Sequence, residues 1–442
     1  MLIVILNKTS AMKKLNTPLF IIICIMSSFK APKSQPINNN KSIFKINTED
    51  SITTSKFGVA PTTSAAEMEK LQQFFDYCSE HKVTGIISKG NYKIFKSILI
   101  GSNSTIKFEE GAKFIRAYKA GSGFGSSTIQ QKVKNQPIEN VKLINFNLGL
   151  ESTDCIGRQV SLYANHMEII KMNIDGFRGA MAIVVAGNDI VMDEIHIKNS
   201  GGEHGEGGIR VEGGNNIKIS NSEVESGDDC FQFVPSAAPE DPLFNMDISN
   251  GEYKNCVGHS AGARLIIVAK GENNTCSIKD VGFINIKGSG GERQLLFQDQ
   301  SKREFNTPLT KQGGDTYRVT KSILNARNHP IFNDGDQVEV KYGNRMTSAR
   351  VSVSGDNCTL TGNLEGIKEN QSVILSKANT GVIDGITLSN FDADCANDKK
   401  PESIYIDNVT SLKTENVKLR NLKDHSIKTV NYSGNWAKPQ LY

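Results

Sequence analysis

The chain has 442 residues, with 51 Lys and Arg against 47 Asp and Glu, a formal net charge of +4. That length holds one very long domain or two to three ordinary ones. So small a positive excess slightly favours an acidic partner, but a solvated surface carries as much; no nucleic-acid partner is expected. Thirty-nine glycines and a single tryptophan favour a turn-rich β protein over a helical one.

In chain order, the first feature is a basic start, Met12-Lys13-Lys14, followed by an apolar run from Pro18 to Met26 and then Ser27, Ser28 and Ala31. This is the three-part layout of a secretory signal peptide over residues 1–31, with Met12 as an alternative start. The run is too short to span a bilayer, so no membrane span is expected. The product is then secreted: extracellular, periplasmic or on the cell surface. Cys24 stands where a lipid-anchor cysteine would, but Ile21, Ile22 and Ile23 before it lack the small residues such a site wants. Residues 32–52, rich in Asn, Lys, Ser and Pro, read as a linker. The seven later cysteines are scattered with no Cys-x-x-Cys pair, so no zinc or other metal site is expected, and no cofactor. Cys230 and Cys256 fall in repeats that look adjacent, where they either stack in a core or form a bridge.

From Ala65 to His81, residues Ala66, Met68, Leu71, Phe74, Phe75 and Cys78 recur at helical spacing, which predicts one amphipathic helix. Short strands follow. From residue 140 they become a repeat of alternating apolar residues broken by turns. Copies are Asn140–Phe146, Met167–Ile174, Asp189–Ile197, Asn216–Val224, Asn245–Asn250 and Cys276–Ile286, then Gly381–Leu388 and Leu412–Leu419. Starts lie roughly 23 to 31 residues apart, a solenoid period. Alternation of period two excludes helical repeats. A single coil cannot bury its inner face, so coils must stack. The expected fold is an all-β right-handed parallel β-helix over residues 53–302 with a short N-terminal capping helix, closed by final coils and a tail over 376–442. Between them, residues 303–375 break the rhythm with close-set strands; they are either a small β insertion or subdomain, or irregular coils of the same helix.

On a solenoid, outward side chains line up as ladders, and an extended polysaccharide fits such a groove. Four segments invite alignment on successive coils: His204–Gly208, Ser226–Cys230, Gly258–Ser260 and Gly291–Gln294. Together they bring Glu206, Asp228, Asp229, His259 and Arg293 within a few rungs. Glycosidic hydrolysis needs one protonated acid and one carboxylate, and crowded carboxylates push their pKa values apart. Successive strand residues face opposite ways, so Asp228 and Asp229 both reach the groove only if Gly227 breaks the strand. Asp154 and Tyr163, a little earlier, are weaker groove candidates.

Ser226-Gly-Asp-Asp-Cys230 with Phe231-Gln-Phe233 is similar to the aspartate-pair motif of the polygalacturonases, glycoside hydrolase family 28. Gly258-His259 resembles the start of that family's Gly-His-Gly, and Gly291-Glu-Arg293 the start of its Arg-Ile-Lys. Glu206 lies where the family carries the Asp of Asn-Thr-Asp. The entry segment, Phe57-Gly-Val59 through Gly90-Asn-Tyr92, looks like the N-terminal cap of the wider pectate-lyase-like β-helix group. The resemblance implies Asp229 as general acid, Asp228 with Glu206 holding the water as base, inversion at the anomeric carbon, His259 supporting the acid and Arg293 binding substrate. The chain departs from the pattern at Ser260, at Glu206 and at Leu295, which stands where the family has a lysine. A pectin-specific enzyme therefore does not follow, and Arg210, Arg264 and Lys270 become the candidate substitutes for the missing charge. The implied function is a secreted inverting glycoside hydrolase that degrades polysaccharide, with an acidic glycan as substrate. Two rivals remain: a polysaccharide lyase or uronate epimerase on the same scaffold, and a non-catalytic carbohydrate-binding or adhesin β-helix. The sequence does not give the oligomeric state.

Overall fold

A computed structural model describes residues 51–441 except 62–63, 65–66, 120–126, 201–204, 237–240, 242, 244, 321–322, 326–329, 355–356, 423–425 and 433–438. The signal-peptide reading and the linker up to residue 50 lie outside the described residues, as do Ala66 and His204. Strand Ser51–Thr53 pairs in parallel with Thr84–Ile86, so Ser51 and Ile52, read from the sequence as linker, belong to the first coil. The helix spans Glu67–His81 and buries Met68, Leu71, Phe74, Phe75 and Cys78. These side chains cap the open end of the coils.

The rest is a right-handed parallel β-helix in which 27 strands form one continuous parallel system. Each coil has three faces. The first includes Ile248–Lys254 and Ile278–Ile284. The second includes Glu223–Ser226, Val257–Ser260 and Lys287–Ser289. The third includes Ile183–Ala186, Phe231–Phe233, Arg264–Lys270, Arg293–Asp299 and Glu402–Asp407. Inward residues pack as ladders along the axis: Ile183, Ile209, Phe231, Ile266, Leu295 and Ile404 are paired coil to coil and all buried. Each such side chain contributes about 1.5–3 kcal/mol of burial. Leu295 therefore fills the core; its side chain is 1% exposed and faces away from any groove.

The corner between the first and second faces is a left-handed residue on every coil: Asn221, Asn255 and Asn285 have φ of 50°, 55° and 55°. Their amides join them into a ladder, Asn255 Nδ2 to Asn221 Oδ1 at 3.2 Å and Asn285 Nδ2 to Asn255 Oδ1 at 2.9 Å. Asn tolerates this backbone and bonds locally, which is why it recurs here. Coils also touch backbone to backbone: Gly214 has φ 116°, and a Cβ there would stand 1.8 Å from the Gly187 carbonyl oxygen.

Strands Phe305–Gly313, Thr316–Val319, Asp336–Tyr342, Arg345–Ser354, Asn357–Thr361 and Gln371–Lys377 are antiparallel and close into a separate barrel. It has its own core, including Leu309, Val319, Val338, Val340, Val351 and Leu375. The β-helix resumes across it: Ile278 pairs with Ile383 and Leu295 with Ile404. All seven cysteines among the described residues are buried free thiols, Cys230 and Cys256 included, so no bridge joins those two. Among the described residues no helix is long and apolar enough to cross a membrane.

Candidate active site

The turn between the second and third faces carries the acidic pair. The strand Glu223–Ser226 ends there, and Phe231 begins the next. Gly227 and Asp228 both donate their backbone N–H to the Glu206 carbonyl, at 3.0 and 3.1 Å, one coil earlier. The chain is therefore out of strand geometry at 227–230, and alternation no longer forces the two carboxylates apart.

Their environments differ. Asp228 is partly exposed. Its Oδ2 accepts from Gly205 N at 2.7 Å and its Oδ1 from Asp229 N at 2.9 Å. Asp229 is 5% exposed. Burial and the neighbouring Asp228 charge push its carboxyl up to about 7, although Arg264 opposes the shift. Arg264 grips it closely: its backbone N donates to Oδ1 at 3.1 Å and Nη2 to Oδ2 at 2.8 Å. Its Nε lies 2.6 Å from Oδ1, a charge contact without hydrogen-bond alignment. The ladder continues from Arg264 Nη1 to Glu292 at 3.1 Å and from Glu292 to Lys400 at 3.7 Å. Burial works against the Arg264 charge, yet Asp229, Asp228 and Glu292 together hold its pKa above the ordinary value.

The other predicted residues fall as follows. Glu206 stacks on the same turn, but its carboxylate is 1% exposed. It accepts from Gly179 N at 3.1 Å and faces Arg178 at 3.5 Å, so it braces the turn and does not front the groove. His259 lies on the following coil but on the second face, in register with Glu225 and Ser289. Its exposed imidazole bonds Ser289 Oγ at 3.1 Å; among the described residues no hydrogen bond or ion pair joins it to either aspartate. It does not support the acid by direct contact. Arg293 pairs in register with Arg264, contacts Glu402 at 3.8 Å and lies over the Tyr405 ring. Arg210 lies on the third face two residues into its strand, bound to Glu212 at 3.2 Å and to the Val234 and Pro235 carbonyls. Lys270 cannot meet substrate. Its side chain is fully buried, 3.3 Å from Asp299 and bonded to the Cys276 and Gly381 carbonyls. It sits six residues beyond Arg264, at the far end of the strand and turned inward. Asp154 is exposed in a loop, and the backbone N–H of Tyr163 donates to Gln131 Oε1 at 2.5 Å.

Arg178, Glu292 and Lys400 were missed in the sequence. Glu292 stands inside a quoted segment, but only the coil register reveals that it meets Arg264. Among the described residues no three His, Cys, Asp or Glu side chains converge as metal ligands would.

Residues 162–290, which include both aspartates, match the family described as Glycosyl hydrolases family 28. No curated protein sequence matches the chain. Among solved structures, an iota-carrageenase complexed to iota-carrageenan fragments aligns over 92% of this chain and 96% of its own, at 13% identity and a TM-score of 0.57. A family GH82 iota-carrageenase from A. fortis aligns over 92% and 95%, at 12% identity and 0.54. The family 28 exopolygalacturonase of Yersinia enterocolitica aligns over 89% and 77%, at 13% identity and 0.50. At these identities the structural likeness speaks for the fold alone.

Proposed function

We propose, from the match of residues 162–290 to family 28, that the chain is a polygalacturonase-like glycoside hydrolase that cleaves an acidic polysaccharide by a single, inverting displacement at Asp228 and Asp229. The observation that carries the reading is the contrast within the pair. Asp229 is buried and holds its proton up to about pH 7, as a general acid must. Asp228 is partly exposed and held in place by two backbone N–H donors, which leaves it open to a water as the base.

In the reaction Asp229 gives its proton to the glycosidic oxygen as the bond to the anomeric carbon breaks. A water attacks that carbon from the opposite side and passes its proton to Asp228. Arg264 positions Asp229, and Arg293, one coil on, supplies positive charge beside the groove. These two cations favour an anionic glycan. The basic and apolar start of the sequence supports export of the enzyme, which the N-terminal residue of the mature protein, read by mass spectrometry, will test.

The enzymatic test uses polygalacturonate, iota-carrageenan and a neutral galactan, with reducing ends as the readout and proton NMR of the first-formed anomer. Asp229→Asn and Asp228→Asn should each lower the rate by about 10²–10⁴-fold, and the product anomer should be inverted. Undiminished cleavage by Asp229→Asn sinks the assignment. An unsaturated product, seen by its absorbance, turns the reading to a lyase.

A further inference from the structure

At the entry to the third face, four coils in succession carry charges of alternating sign: Asp229, Arg264, Glu292 and Lys400. The strands they lead into are stacked in register, Phe231 on Ile266, Ile266 on Leu295 and Leu295 on Ile404. Glu292 has no part in the reaction as described, yet it is held firmly. Its N–H donates to the Ala263 carbonyl at 2.8 Å, and its own carbonyl accepts from the N–H groups of Lys399 and Lys400 at 3.2 and 3.0 Å. Its side chain is 19% exposed. Oε2 accepts from Arg264 Nη1 at 3.1 Å, and Oε1 faces the half-exposed Lys400 Nζ at 3.7 Å.

Two carboxylates therefore divide one guanidinium. Nη2 and Nε of Arg264 meet Asp229, and Nη1 meets Glu292. An arginine does not lose its proton, so its pull on Asp229 depends on what else compensates its charge. Uncompensated, a guanidinium in contact with a carboxylate holds it ionised, and an ionised acid has no proton to give. Burial acts the other way and Asp228 adds to it, with Arg264 opposing both. The remaining charges near the acid are engaged elsewhere. Glu206, one coil earlier, faces Arg178; Arg293 contacts Glu402; His259 bonds Ser289 on the second face. The adjacent Cys230 is a buried thiol whose pKa is pushed up to about 12, so it stays neutral.

We infer that Glu292 is a positioning residue of the acid: it divides the Arg264 guanidinium with Asp229, fixes its orientation, and leaves Asp229 less of its charge. Glu292 touches neither substrate nor the reacting atoms and acts only through Arg264. Lys400 compensates Glu292 in turn, weakly, because solvent screens it. The inference rests on Asp229 being the acid, but the charge coupling is measured without cleavage.

The test follows the Asp229 carboxyl itself, by the carbon-13 shift of protein labelled at the aspartate carboxyl, with its signal identified by its loss in Asp229→Asn. Glu292→Gln keeps an acceptor oxygen and removes the charge. It should lower the pH at which Asp229 titrates by about one pH unit, and the alkaline limb of kcat/KM should fall with it. Glu292→Asp keeps the charge and should restore most of the difference, which a role in packing alone would not predict. Lys400→Glu reverses the outermost charge and should raise the titration by about half a pH unit at low ionic strength; it carries the test if Glu292→Gln melts early. The inference is overturned if folded Glu292→Gln titrates at Asp229 within about 0.2 pH units of wild type or higher, if Glu292→Asp shifts it as far as Glu292→Gln, or if Lys400→Glu leaves it unmoved or lowers it. A titration that moves as expected while the pH–rate profile stays fixed upholds the coupling and strikes Asp229 as the acid.

Discussion

At the scale of single residues, the proposed chemistry rests on Asp229. Its carboxyl titrates near 7 in the folded chain against 3.8 as its ordinary value. The rate should therefore fall as pH rises through about 7, where the acid loses its proton; a pH profile of kcat/KM checks this, and a flat profile to pH 9 contradicts it. The same shift affects folding. The folded chain binds this proton more tightly than the unfolded one, so between about pH 4 and pH 7 rising pH costs stability through this group. Arg264→Gln removes the cation that opposes the shift, so it should move the alkaline limb to higher pH as well as slow the reaction. Lys270 gives the contrasting case. Removing it strands Asp299 in the core, so Lys270→Ala should cost about 3–5 kcal/mol in urea unfolding, with no change in KM below its melting temperature. In the sequence both were only basic residues on one strand. Burial separates them: Arg264 opens the strand at the turn that carries Asp229, and Lys270 ends it inside the core.

At the scale of the element, the recurrent coil was legible because its two signals are local: alternation within each strand and a polar residue at each corner. Asn255→Ala should destabilise by about 1–2 kcal/mol, since Ala pays for a left-handed backbone and cuts the amide ladder. Asn255→Gly should cost less, because only the ladder is lost; chemical denaturation ranks the two. Asp228 and Asp229 were legible for the same reason, as a short motif. What was not legible is the position of a residue around its coil. His259 and Arg264 share a coil and lie five positions apart, yet one faces Ser289 on the second face and the other grips the acid. Spacing counts coils, but only the bend between faces decides which side chains meet.

At the scale of the whole molecule, the barrel from Phe305 to Lys377 interrupts the chain without interrupting the stack, since strands on either side of it pair directly. We propose that it is a separable insertion. Replacing it with a short Gly-Ser link between Arg303 and Ala378 should leave a folded β-helix by circular dichroism, with hydrolysis of a short substrate retained; a collapse of the β signal contradicts this. The charge ladder from Asp229 through Arg264 and Glu292 ends at Lys400, on the far side of that barrel. Along the chain, Asp228, Asp229, Arg264 and Glu292 all precede the barrel, and only the outermost cation of the ladder, which faces Glu292 and not the aspartates, is supplied from beyond it.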